Sequence, residues 1–140
     1  MYCSQADIED LLSAAVLIQL TDDEGLRVVH AGRVEKAISD ADAEINAYCG
    51  QRYPLPFSPV PDILRKLSVD IAVFNLHGRR KQTPEDVKER YRNAITFLRA
   101  VSTGTATLGA EDPHGSPAPT EKPSISGPDR IFSRQSLGGW

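Results

Sequence analysis

Cysteine is scarce in this 140-residue chain: Cys3 and Cys49 are the two thiols. They are too few for a disulfide framework and do not form a C-x-x-C pair. Cys49 falls on an apolar helical stripe, which predicts a buried thiol and not a ligand. Long apolar runs are missing too, as is a basic start followed by an apolar stretch, so neither a membrane span nor a leader is expected. The expectation is a protein made and folded in a reducing cytoplasm, with no membrane partner. Catalytic signatures are equally absent: the chain holds no G-x-x-x-x-G-K-[ST], no G-x-G-x-x-G and no G-x-S-x-G. His30, His77 and His114 have no H-x-x-x-H or C-x-x-C neighbour, which argues against a structural metal. Asp22-Asp23-Glu24-Gly25 resembles a calcium loop only in part, because Leu26 stands at the fifth position and Gly25 comes too early. A loop that caps a helix is the better reading. We expect no enzyme, no cofactor and no metal.

What the chain does contain is an uneven distribution of charge. Residues 1–49 carry ten acidic and three basic side chains, a net of -7. Residues 50–102 carry five acidic and ten basic, a net of +5, while the whole chain sums to -3. A charge-polar molecule can attract copies of itself head to tail, although two solvated helix faces of opposite sign give the same split. The head-to-tail reading sets Asp40 and Asp42 of one copy against Arg79, Arg80 and Lys81 of the next.

Periodicity predicts helices. Ser4 is placed to cap a short helix, with Asp7 three residues on, and Ser13 a second one carrying Val16, Leu17, Ile18 and Leu20. From Ala31 to Cys49 the apolar residues Val34, Ala37, Ile38, Ala41, Ile45 and Tyr48 keep the 3, 4, 7 spacing, and Gly50 follows. Four prolines between Pro54 and Pro61 forbid a helix, and Tyr53, Leu55, Phe57 and Val60 predict a connector packed on its neighbours. Asp62 to His77 reads as a central helix apolar nearly all round, centred on Leu64, Leu67, Ile71 and Phe74, with Gly78 as its stop. Asp70 inside it needs a partner, with Arg52 and Tyr53 the candidates. Thr83 as N-cap and Pro84 at the first helical position open a last helix whose buried stripe is Val87, Tyr91, Ala94, Ile95, Leu98 and Val101. The fold class is therefore mainly α, a compact bundle of four to five helices over residues 1–102.

Residues 103–140 differ in kind. Of these 38 residues, 20 are Gly, Pro, Ser or Thr, so the segment cannot build a core. It nevertheless finishes in Ile131, Phe132, Leu137 and Trp140, with Arg130 and Arg134 flanking Ile131 and Phe132. That cluster predicts an extended tail docking on a neighbouring subunit or another partner.

Several stretches in order resemble the Mu-like phage neck proteins. They are Met1-Tyr2-Cys3-Ser4-Gln5-Ala6-Asp7-Ile8, Ile18-Gln19-Leu20-Thr21-Asp22, Arg52-Tyr53-Pro54-Leu55-Pro56, Asp70-Ile71-Ala72 and Leu76-His77-Gly78. Glu89-Arg90-Tyr91, Phe97-Leu98, Leu108-Gly109 and Arg130-Ile131-Phe132-Ser133-Arg134-Gln135-Ser136-Leu137 continue the series. No single piece is specific, but the ordered set is. The resemblance implies a head-tail connector (head-completion) subunit with a fold similar to the helical adaptors of long-tailed phages. It implies a homo-oligomeric ring in the virion at the head-tail junction, a dodecamer where it matches the portal. The implied partners are the portal protein and a tail-side neck or tail terminator protein, with genomic DNA passing through the lumen without sequence-specific contact. The Asp22-to-His30 loop departs from the pattern in lacking the Gly- and Asp-rich run of many relatives. Two other readings stand beside it. One is a small helical DNA-binding packaging protein using the Arg79–Lys81 cluster, and the other is a helical interaction module with no virion role.

Overall fold

A computed structural model describes residues 1–109. Five helices follow one another: α1 (Gln5–Leu11), α2 (Ala14–Thr21), α3 (Ala31–Cys49), α4 (Asp62–Arg79) and α5 (Glu85–Thr103). No strand occurs among the described residues. The three long helices pack on one another pairwise, while α1 lies against α3 and α4, and α2 lies against α4. At the standard rise the 18 residues of α4 run about 27 Å.

Local chemistry explains most boundaries. Ser4 and Asp7 form a reciprocal cap: Ser4 Oγ accepts from the Asp7 N–H at 3.3 Å, and Asp7 accepts from the Ser4 N–H at 2.7 Å. Ser13 Oγ caps α2 through the Val16 N–H. α3 has a cap that the sequence pattern did not reveal, His30, whose Nδ1 accepts from the Arg33 N–H at 3.3 Å. α5 starts one residue later than expected, at Glu85, with Pro84 in the cap position and no side-chain cap from Thr83. Glu85 and Asp86 still meet the positive end of the helix dipole. α4 does not stop at Gly78: it runs to Arg79, and the left-handed residue that turns the chain is Lys81, at φ 55°. A nitrogen-rich helix end followed by an exposed left-handed lysine does here what glycine was expected to do.

α5 ends in a Schellman turn. Gly104 adopts φ 84°, its N–H reaches the Val101 carbonyl, and the Thr105 N–H reaches back to Ala100. The positive φ requires glycine there, and a Cβ would also displace the Arg52 guanidinium that lies against it. The chain beyond this turn still belongs to the bundle, because Leu108 is buried and its N–H donates to Tyr53 Oη at 3.2 Å.

Burial follows the apolar pattern closely. Ile8, Leu17, Val34, Ile38, Ile45, Leu64, Ile71, Leu76, Leu98 and Val101 are fully enclosed. In the proline-rich connector Tyr53 and Phe57 are buried and Val60 half-buried, but Leu55 is exposed. Phe57 meets Tyr2 and Tyr53 with ring centroids 6.0 and 5.7 Å apart. Phe74 is not at the centre. It is half-buried at the edge of the bundle, stacked on Tyr91 with centroids 3.9 Å apart, because Tyr91 must carry its hydroxyl out to Glu44 on α3, 2.8 Å away.

Asp70 also finds partners other than those expected. It is 5% exposed, with Lys66 Nζ at 3.0 Å one helical turn earlier and an Arg90 nitrogen from α5 at 3.9 Å. Arg52 lies instead against Gly104, and the Tyr53 hydroxyl serves Leu108. The pairing is favoured by distance along the helix: an i–4 lysine is always within reach. Truncating a fully enclosed leucine of α4 checks this architecture. Leu64→Ala should lower unfolding free energy by about 2–5 kcal/mol in urea titration. Leu26→Ala on the exposed loop should stay within about 0.5 kcal/mol; equal effects from both would be incompatible with the packing described.

Candidate interaction surfaces

The loop between α2 and α3 is built around a helix end that needs donors. The final carbonyls of an α-helix have no partner within the helix and carry its negative dipole end. At the end of α2 three arginines supply those donors. Arg80 donates to the carbonyls of Gln19 (3.1 Å) and Asp22 (3.0 Å), Arg79 to Leu20 (2.6 Å) and Arg33 to Thr21 (2.7 Å). Three cations beside one helix end require counter-charge, and the loop provides it. Asp23 accepts from Arg79 at 2.7 Å, lies 2.9 Å from Arg80 and 3.3 Å from Arg33. Glu24 takes Arg33 in a two-pronged pair at 2.7 and 2.8 Å.

Asp22 completes the loop from inside. Its carboxylate accepts the N–H groups of Arg27 (2.7 Å) and Leu26 (3.1 Å), which holds its pKa below the ordinary value. Gly25 and Arg27 both take positive φ, 76° and 57°. Thr21, fully buried, bonds the Leu17 carbonyl and accepts the His30 N–H at 3.1 Å, while Val29 packs on the core. A loop fastened at both ends and from within still presents Leu26 and Val28 to solvent, at 69% and 56% exposure. Between them Arg27 is exposed and enters no ion pair among the described residues.

A second surface lies near the start of α4, in a groove of about 500 Å³ between α1 and α4. Leu11 and Val69 give it apolar walls, and Asp10 and Asp62 are exposed beside them. Neither aspartate has an ion-pair partner among the described residues. Lys66 and Arg90, also in the lining, are turned to Asp70, and Arg65 acts on the capping carboxylate of Asp7.

The residues expected at an interface between copies are thus distributed unevenly. Arg79 and Arg80 have partners inside their own chain, as just described. Asp42 accepts the Tyr2 N–H at 3.0 Å and the Ser68 hydroxyl at 2.9 Å, tying the start of the chain to α3 and α4. Asp40 pairs with Lys36 one turn before it on the exposed face of α3. Lys81 is exposed and has no ion pair among the described residues. Arg130, Ile131, Phe132, Arg134, Leu137 and Trp140 lie outside the described residues. The cysteines are buried and free, and burial pushes the Cys49 thiol up to about 11. No helix among the described residues is long and apolar enough to cross a membrane.

Comparison with known proteins gives a consistent result. The family profile described as Bacteriophage Mu, Gp36 matches residues 2–126. A protein named Mu-like prophage FluMu protein gp36, from Haemophilus influenzae, is 34% identical over 80 residues, covering 57% of this chain and 55% of that protein. Gene product J of Escherichia phage Mu is 30% identical over 105 residues, covering 74% of this chain and 73% of its own length. The chain thus spans about half the length of the Haemophilus protein it matches.

The Glu24–Arg33 pair makes the loop sensitive to acid. The hydrogen bond from Arg33 holds the Glu24 carboxyl down at about 2, against an ordinary 4.5. A depressed carboxylate pKa stabilises the loop fully above pH 4.5, and that contribution fades as the pH falls towards 2. Carboxyl-detected NMR titration should place the Glu24 midpoint well below that of an exposed glutamate, and Arg33→Gln should return it upward towards 4.5. A midpoint unmoved by that substitution would show that the pair does not form in solution.

Proposed function

The chain belongs to the Bacteriophage Mu Gp36 family, and from that premise we propose that it is a structural protein of the phage neck. In this reading it is a head-tail connector, or head-completion, subunit. Copies form a closed ring, a dodecamer where it matches the portal, beneath the portal protein and above a tail-side neck or tail terminator protein. The genome passes through the lumen, and the working location is the head-tail junction of the virion.

The observation that carries the reading is the family match over residues 2–126, which includes all five helices and part of the segment beyond them. Physical features of the chain support it. The tight mutual packing of α3, α4 and α5 gives a rigid subunit, and rigid subunits close rings of fixed number better than flexible ones do. Residues 124–140 supply an anchor that a bundle alone lacks. Left in water, Ile131, Phe132, Leu137 and Trp140 would be an apolar liability, and buried aromatic anchors commonly contribute about 2 kcal/mol or more each at interfaces. Arg130 and Arg134 flank Ile131 and Phe132 and set their register against carboxylates of a neighbouring subunit or the portal.

The DNA-binding alternative rests on Arg79, Arg80 and Lys81, and the geometry weighs against it. Two of the three guanidinium and ammonium groups are already occupied by Asp23 and the carbonyls at the end of α2. Phosphate contact through them would have to break those bonds, so only Lys81 is offered freely.

A phage carrying a chain truncated before residue 124 tests the proposal. The truncated protein should fold, melt cooperatively and remain helical, while lysates accumulate filled heads and free tails in electron micrographs. Normal virions from the truncated gene would remove the bridging role of the tail. Normal virions from a complete deletion of the gene would remove the neck assignment itself. A drop in melting temperature of the isolated truncated monomer would show that the apolar cluster folds back on its own bundle instead of reaching a neighbour.

A further inference from the structure

We infer that copies of the chain meet head to tail, with the Leu26-Arg27-Val28 tip of one copy seated in the α1–α4 groove of the next. The inference rests on the ring reading above and names the surfaces that would make the ring.

Three observations converge on this contact. The first is that the tip is both apolar and fixed. Leu26 and Val28 are exposed, yet the loop that carries them is held by three arginines, by the Asp22 carboxylate and by buried Thr21. A loop of this kind loses little conformational freedom on docking, so its apolar surface contributes more of its burial to binding.

The second observation is charge complementarity. Arg27 sits between the two apolar side chains and has no ion pair among the described residues. The groove offers the reverse arrangement, with exposed Asp10 and Asp62 beside Leu11 and Val69. Its lining counts four aspartates against three basic residues, so it remains net negative. Its volume of about 500 Å³ is ample for two branched aliphatic side chains.

The third is placement. The tip is tied to Arg79 and Arg80 at the end of α4, whereas the groove is formed by its first turns, around Asp62 and Lys66. Lys66 and Arg79 are separated by about 20 Å along the helix at the standard rise. Two different, mutually complementary surfaces on one molecule make a heterologous contact, which repeats from copy to copy and closes into a ring when the rotation allows. A two-fold dimer would need one self-complementary patch instead. The acidic first half and basic second half of the sequence do not produce this contact, because their closest encounter, Asp23 with Arg79 and Arg80, is spent inside the chain.

Cross-linking of the full chain tests the contact. Cys3 and Cys49 are buried, so Leu26→Cys and Leu11→Cys introduce the reactive thiols. The double variant, treated with a short bis-maleimide, should give a ladder of dimers, trimers and higher species on a denaturing gel. A mixture of the two single variants should stop at dimers. Leu26→Cys alone should give none, and dimers from it would indicate a symmetric contact and overturn the proposal. In sedimentation, Arg27→Glu should weaken self-association about tenfold, and Asp10→Arg in the same chain should restore part of it. Wild-type rings in electron micrographs, with no ladder and no effect of Arg27→Glu, would remove this contact and leave the ring. A wild-type chain that stays monomeric at every attainable concentration would remove both.

Discussion

The burial of α4 on nearly all sides is the constraint from which the rest of the molecule follows. A helix apolar around most of its circumference must be covered by several partners, and here α3, α5, α1 and α2 each take a sector. Covering it forces every polar group along its length to find a specific partner, since an unsatisfied buried group costs more than a bond gains. Those partners fix the surrounding elements in turn. Ser68 meets Asp42 on α3 and lies 3.2 Å from the Cys3 sulfur, which brings the start of the chain into place. Asp70 draws Arg90 of α5, Asn75 donates to the Ala37 carbonyl of α3, and Arg79 and Arg80 close over the end of α2. The polar ladder along α4 thus does for orientation what the apolar surface does for cohesion.

The fold was legible in the sequence to the extent that its signals are local. Helical spacing in Val34–Cys49 and Val87–Val101, the Ser4 and Ser13 caps, and the proline-rich break need only neighbouring residues, and each stands where the pattern puts it. What depends on tertiary neighbours was not legible. Asp70 required a partner by any reading; the i–4 spacing points to Lys66, but nothing in the sequence ranks Arg90 above Arg52. His30 as a cap is unusual because its ring nitrogen, not a hydroxyl or carboxylate, accepts the bond. Phe74 counts as core by pattern alone. Only the neighbouring Tyr91, committed to Glu44, reveals that the ring sits at an edge.

The charge split illustrates a more general limit. A net of -7 followed by +5 is the signature of charges that seek each other, but it does not say whether they meet within a chain or between copies. In this bundle the acidic run Asp22-Asp23-Glu24 and the basic run at Arg79-Arg80 are brought together by the packing of α2 on α4. The electrostatic work is largely internal. Its effect is to stiffen a loop whose tip carries two exposed apolar side chains, Leu26 and Val28.

That division of labour has a physical rationale for a subunit of a phage neck, as proposed above. Exposed ion pairs are screened by salt and contribute little to association between proteins. The same pairs, clustered around a helix end whose carbonyls need donors, hold backbone geometry, because each arginine is committed to two or three acceptors at once. An interface built on apolar tips carried by such a loop gains the salt tolerance of apolar burial while keeping the orientation that charge provides. Arg27 then acts as a register pin between two hydrophobic contacts, and it does not have to supply most of the binding. A subunit that must close a ring of fixed number needs angular definition at each contact more than it needs strength, because an error of a few degrees accumulates around the ring while repeated weak contacts reinforce one another.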